Sequence, residues 1–183
     1  MFNVLLTNSK IVNIVVSSKF DLKIPIDKLA RMIKYSIYEP EIFPGLHYRL
    51  QNNQGTIMLF ASGKIVSTGA KSVISAKNAI NGASFEINEK LSLNLKLGKI
   101  KIENIVSTMN FQNKIDLKKL SKELINSRYN YDEFPCVFYP FEGKTTLLIF
   151  HSGKIVSVGA KNEKDSKNSL KFIENFLRNL LNL

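Results

Sequence analysis

The chain has 183 residues, enough for one ordinary domain or two small half-domains sharing a core, and its 44% hydrophobic content is normal for a protein that buries one. A net charge of +11, from 26 Lys and Arg against 15 Asp and Glu, points to a polyanionic partner, nucleic acid first, although an AT-rich genome that inflates Lys, Asn and Ile gives the same excess. Cys136 is the single cysteine, which excludes a disulfide and a Cys-rich metal site. No apolar run nears the roughly 18 residues of a membrane span, and the N-terminal MFNVLLTNSK lacks the length and basic start of a secretion signal, so the expectation is an intracellular soluble protein.

In chain order, Lys10 to Ser17 (KIVNIVVS) is a β-branched run that predicts a strand, and KIENIVST, Lys101 to Thr108, repeats it. Apolar Ile26, Leu29, Ala30 and Ile33 predict a helix from Ile26 to Ser36 with Asp27 as its N-cap. The copy runs from Leu117 to Asn126 with Asp116 as cap and Ile115 and Leu120 as a hydrophobic staple. Turn-rich segments follow, YEPEIFPGLHYRL from Tyr38 and YNYDEFPCVFYPF from Tyr129; Pro44 and Pro135 put the Phe before each in extended chain or a loop. Short strands are expected at Thr56 to Phe60, Lys64 to Thr68, Thr145 to Phe150 and Lys154 to Val158, with Ser62-Gly63 and Ser152-Gly153 as tight turns. Amphipathic helices close each half, roughly Ser72 to Phe85 and Glu163 to Leu180, the second capped by Asn162 with Glu163 and Asp165 in its first turn.

The clearest repeat is FASGKIVSTGAKS, Phe60 to Ser72, which returns 90 residues later as FHSGKIVSVGAKN, Phe150 to Asn162. A fixed long period says that one unit was built twice. Leu91 to Ile102 alternates apolar and polar, with a phase flip at Gly98-Lys99 that reads as a bulge or bend opening the second copy. The halves are therefore 1–98 and 99–183. The fold expected is α+β: two quasi-symmetric repeats forming one curved antiparallel sheet, a saddle, with the helices on its convex face.

The other face of that sheet should alternate to polar residues, and it does not. One parity carries Val12, Ile14, Val16, Ile65, Ile105, Ile149 and Ile155 for the core; the opposite one carries Val15, Met58, Phe60, Val66, Val106, Leu148, Phe150, Val156 and Val158, broken only by Asn13, Asn104 and Thr68. An open apolar surface of that size marks a binding site. With Arg49, Lys64, Lys71, Lys154 and Lys161 at strand ends and turns, it suits the DNA minor groove, whose floor is reached by uncharged groups and whose phosphates attract cations. Burial of this face by a second copy or by more helix is the competing structural explanation.

The paired SGK-x-V-x-[T/V]-GAK strands, the EPEIFPG and DEFPC turns and the NIV strand starts resemble the TATA-box-binding protein family, over about residues 10 to 180 and in both copies. The resemblance implies a transcription initiation factor that binds the TATA element in the minor groove, kinks it, and recruits transcription factor B and RNA polymerase. It assigns DNA intercalation to Phe43, Phe60, Phe134 and Phe150. The groove floor falls to Asn13, Val15, Met58, Val66 and Thr68, then Asn104, Val106, Leu148, Val156 and Val158. Phosphate contacts fall to Arg49, Lys64, Lys71, Lys154 and Lys161, and docking of transcription factor B to Tyr131, Asp132 and Glu133. No catalysis, metal or cofactor is implied. The partner is double-stranded DNA, bound by a monomer, with a homodimer as the alternative cover for the face when free. The chain start, about ten residues before the first strand, reads as archaeal, hence cytoplasm and nucleoid, or nucleus for a eukaryotic member. Four features depart from the family pattern: Val158 stands where Thr is usual, Pro140 takes the place of Arg49, Cys136 replaces Gly45, and the span from Phe134 to Phe150 is one residue shorter than its partner.

Two other readings are weighed. GKIVSTGAK suggests a phosphate loop, but five residues separate Gly63 from Gly69 and Ala70 precedes Lys71, which does not fit G-x4-GK[ST]. His47 and His151 are isolated, and Glu39 with Glu41, like Asp132 with Glu133, sit in turns, so no catalytic arrangement forms. The stronger rival is a divergent paralogue whose face binds a protein or single-stranded RNA. Single-strand binders use aromatic platforms in mid-groove, whereas the four Phe here fall at the ends of the face.

Overall fold

The structure, a computed structural model, describes residues 9–50 and 55–183. Most of the N-terminal stretch weighed as a secretion signal lies outside the described residues. In order the chain forms β1 (Lys10–Lys19), α1 (Ile26–Ala30), β2 (Gly45–Arg49), β3 (Thr56–Phe60), β4 (Lys64–Ala70) and α2 (Val73–Leu91), then β5 (Lys101–Asn110), α3 (Leu117–Glu123), β6 (Cys136–Phe141), β7 (Thr145–Phe150), β8 (Lys154–Ala160) and α4 (Glu163–Leu180). The strands order as β2-β3-β4-β1 in one repeat and β5-β8-β7-β6 in the other. Two compact units divide the chain, Asn13–Glu103 and Met1–Val12 with Asn104–Leu183.

In the first unit β2, β3 and β4 form an antiparallel meander, and β4 pairs with β1. Ile14, Val16, Ile57, Leu59 and Ile65 point inward and are fully buried, and α2 packs on β3 and β4 with its small face of Ala76, Ala79 and Ala83 buried. The second unit repeats this with β6, β7, β8 and β5, Ile105, Leu147, Ile149 and Ile155 inside, and α4 over β7 and β8. Hydroxyl pairs stitch sheet to helix there: Ser166 Oγ donates to Ser107 Oγ (2.7 Å), and Ser157 Oγ and Ser169 Oγ are hydrogen-bonded at 2.8 Å. Val12, expected in the core, is half-buried.

Several local expectations need correcting. The helix from Ile26 ends at Ala30, because Ser36 Oγ donates to the carbonyls of Ala30 and Ile33 (3.0 Å each) and Tyr35 turns left-handed at φ 60°. Ile33 keeps the apolar spacing alive past the helix end, packing into the core from a turn. Asp27 is no cap: the cap position is Pro25, without a side-chain bond, and Asp27 sits inside the first turn, where the helix dipole still favours it. In the copy Asp116 does cap, accepting from Lys119 N–H, and Ile115 and Leu120 are both buried; α3 nevertheless stops at Glu123, with Asn126 left-handed at φ 68°. Helix α2 outruns Phe85, which is exposed, because Ile87 and Leu91 continue its buried stripe. Helix α4 has the expected bounds and the Asn162 cap.

The turn-rich segments each end in a strand, β2 and β6, that the sequence pattern does not announce. Pro140 is tolerated inside β6 because that strand lies at the sheet edge. Residues 92–100 form a connector rather than a bulged strand, with a single bridge from Leu97 to Phe20. The bulges lie elsewhere: Thr68 and Gly69 together face Val15, and Val158 and Gly159 face Val106. Gly69 and Gly159 supply the φ of 99° and 94° that this extra residue needs. The hairpin loops have three residues, Ala61–Gly63 and its copy, closed by Gly63 N–H to Phe60 O (2.9 Å) and Gly153 N–H to Phe150 O (3.0 Å).

Candidate nucleic-acid interface

Strand alternation sends every second side chain of each unit to the face that no helix covers. All ten floor residues are half-exposed, and each has at least one buried chain neighbour: Asn13, Val15, Met58, Val66 and Thr68 in the first unit, Asn104, Val106, Leu148, Val156 and Val158 in the second. Register sets Met58 beside Val66 and Thr56 beside Thr68, and in the copy Leu148 beside Val156 and Thr146 beside Val158.

Each Asn is oriented by a bulge. Gly69 N–H donates to Asn13 Oδ1 and Gly159 N–H to Asn104 Oδ1, both at 2.7 Å. With Oδ1 committed to the backbone, the amide NH2 is the group each Asn has to offer. In the first unit Thr68 Oγ1 also donates to Asn13 Oδ1 at 3.2 Å. Val158 has no hydroxyl with which to do the same for Asn104.

The four Phe meet in pairs. Phe43 and Phe60 have ring centroids 5.7 Å apart at 59°, and Phe134 and Phe150 6.1 Å apart at 66°. Phe43 and Phe134 hang from turns closed by Phe43 N–H to Glu39 O and Phe134 N–H to Asn130 O, while Phe60 and Phe150 end β3 and β7. Gly45 lies directly beneath the first pair, where a Cβ would be 2.5 Å from Phe43 Cε1. Cys136 fills that position in the copy, paired with Phe150; it is buried, and burial pushes its thiol pKa up.

Lys64 and Lys154 open β4 and β8, Lys71 and Lys161 follow them, and Arg49 ends the edge strand β2 beside Thr56; all five are exposed. Pro140 stands opposite Thr146 where Arg49 stands opposite Thr56. Tyr131, Asp132 and Glu133 form an exposed turn before β6. The glycines of GKIVSTGAK occupy a hairpin loop and a bulge, not a phosphate loop. His47 lies edge-on to Phe43 at 4.7 Å, and His151 Nδ1 is 2.8 Å from Ile115 O.

The same face carries residues that sequence reasoning missed. His47 and Phe138 flank Met58 and Leu148; Ser17 and Thr108 flank Val66 and Val156; Thr56 and Thr146 flank the far end. Strand parity would have found them once β2 and β6 were recognised.

A β-α-β-β-β-α unit present twice, each copy with an open apolar sheet face, paired aromatic rings and exposed cations, defines a class of α+β tandem-repeat protein. The family described as "Transcription factor TFIID (or TATA-binding protein, TBP)" matches residues 8–89 and again 99–180. Similar proteins include the TATA-box-binding proteins of Methanococcus aeolicus, 37% identical over 93% of this chain and 94% of that one, and of Methanocaldococcus jannaschii, 36% identical over 90% of each. The solved structure of Methanococcus jannaschii TBP superposes with a TM-score of 0.80 at 34% identity, covering 94% of this chain and 99% of that one. The chain belongs to the TATA-binding protein family, and its fold is the α+β, two-repeat fold expected from the sequence.

Proposed function

We propose that this chain is a transcription initiation factor that binds a TATA element in the minor groove, kinks it with its Phe pairs, and recruits transcription factor B and RNA polymerase. The observation that carries this reading is the apolar floor of each repeat, ending in a Phe pair whose rings meet at 5.7 and 6.1 Å. At A·T pairs the groove floor offers acceptors only, which suits the Asn NH2 groups and the surrounding Val, Met and Leu. Wedging costs a few kcal/mol per unstacked step, and pyrimidine–purine steps such as TA reduce that cost, so deformability should set much of the sequence choice. The halves 1–98 and 99–183 each supply one half of the site. Arg49, Lys64, Lys71, Lys154 and Lys161 hold phosphates, and the exposed turn of Tyr131, Asp132 and Glu133 docks transcription factor B. The protein acts without catalysis, at the nucleoid of an archaeal cell.

The test is bending of a TATA duplex carrying a donor and an acceptor dye at its two ends. The wild-type chain should raise energy transfer sharply, and Phe60→Ala or Phe150→Ala should remove most of that rise. Tight binding of single strands with no duplex bending would sink the proposal.

A further inference from the structure

The connector after α2 is strapped to the end of β1. Asp21 N–H donates to Lys96 O (3.1 Å) and Lys96 N–H returns to Asp21 Oδ1 (3.0 Å); Gly98 N–H donates to Lys19 O (2.9 Å) and Ser18 Oγ to Gly98 O (2.8 Å). The approach is close: a Cβ on Gly98 would stand 3.1 Å from Lys19 O. These ties bring Lys99 and Lys101 to Lys19 and Lys64 around a cavity of about 440 Å³, which Ser17 and Glu103 also line. It belongs wholly to the first unit.

Its position along the sheet is informative. Ser17 pairs with Val66 of the floor, and two residues further along the ladder Lys19 pairs with Lys64. The cavity therefore begins where the apolar floor ends. Four exposed cations converge against one carboxylate, which itself accepts a 2.6 Å hydrogen bond from Ser17 Oγ. Like charges brought together by a fixed backbone repel, and an anion among them removes that repulsion. Among the described residues of the second repeat one of these cations is missing, since Asn110 stands opposite Lys154 where Lys19 stands opposite Lys64.

We propose that this pocket takes a backbone phosphate of the bound duplex, beyond the contacts assigned to Lys64 alone, so that the first repeat grips the DNA backbone harder than the second. The inference rests on the DNA-binding reading above. The experiment compares Lys19→Gln/Lys99→Gln with wild type on a TATA duplex between 50 and 200 mM salt, recording affinity and bending together. Giving up one neutralised phosphate should reduce the slope of log K against log salt by about 0.9, so that the variant's deficit narrows roughly 3.5-fold across that range. Bending should persist, and Lys118→Gln/Lys122→Gln, which removes the same charge from the exposed side of α3, should keep the wild-type slope. A Lys19/Lys99 variant with wild-type slope and affinity overturns the pocket and leaves the function standing. Failure of the wild-type chain itself to bind or bend the duplex overturns the function instead.

Discussion

Replacing Gly45 with alanine tests whether the first Phe pair is positioned by the backbone beneath it. The added Cβ would lie 2.5 Å from Phe43 Cε1 and 3.1 Å from Phe60 Cε1. Relaxed carbon contacts need about 3.5–4.0 Å, so the Phe43 ring has to retreat by roughly 1 Å. Phe43 is 37% exposed and can swing outward. The off-rotamer torsion costs about 0.5–1.5 kcal/mol, and alanine offsets about 0.4–1 kcal/mol of it by restricting the unfolded chain. Net stability should change by less than about 1 kcal/mol, read from the urea midpoint at constant m-value. The DNA effect should be larger, because the rings would part towards or beyond the 6.1 Å spacing seen over Cys136. Expected is weaker binding and reduced energy transfer across the labelled TATA duplex. Gly45→Ala that bends DNA as wild type does, or that loses more than about 3 kcal/mol of stability, refutes this account of the pair.

Val158→Thr should give Asn104 Oδ1 the second donor that Thr68 gives Asn13, worth about 0.5–1.5 kcal/mol; with a cleavage reagent tethered to one repeat, the ratio of the two binding orientations should shift, and an unchanged ratio counts against a role for that hydroxyl. Asp116→Ala should cost about 1 kcal/mol through loss of the α3 cap, whereas Asp27→Ala, which caps nothing, should stay within about 0.5 kcal/mol; thermal unfolding of both compares them directly. Burial, helped by the charge of Glu86, pushes the Tyr48 phenol well above its ordinary value near 10, so the folded state favours the neutral form. That contribution is whole below pH 10 and is lost as pH climbs from 10 towards the folded value; Tyr48→Phe should flatten the alkaline fall in stability, and an equally steep fall in the variant would refute it.

Most of the fold was legible because it is written twice. A strand or cap ambiguous in one copy is often settled by the other, as the caps Ser72 and Asn162 show, although Asp116 caps where its counterpart Asp27 does not. The errors arise where sequence spacing and backbone conformation part company. Ile33 continues a helical spacing from inside a turn, and Phe85 ends an apolar stripe visually while pointing to solvent. Strands β2 and β6 were hidden by the prolines before and within them and by short inward sets, Leu46 with Tyr48 and Val137 with Phe141. The bulges were invisible for a different reason: they are features of register between strands, and only Gly69 and Gly159 hint at them. The candidate floor was legible from parity, but the bond orienting each Asn was not, nor was the pocket that the 92–100 connector builds.

The bulge also explains why departures between the copies matter for function. At four open-face positions where the repeats differ, the second loses polarity or charge: Phe138 for His47, Pro140 for Arg49, Val158 for Thr68, Asn110 for Lys19. A protein with two equivalent half-faces would bind a near-symmetric A·T site equally in both directions. A tenfold directional bias needs only about 1.4 kcal/mol. One hydroxyl bond to Asn13 is worth about 0.5–1.5 kcal/mol, and the phosphate contacts proposed for Arg49 and Lys19, whose positions carry no cation in the second repeat, would add to it at low salt. Such a bias should therefore weaken as salt rises, down to the part carried by the floor residues alone. On the DNA-binding function proposed above, the repeat fixes where the half-sites lie, and these few unmatched positions are sufficient in magnitude to decide which half meets which end of the DNA.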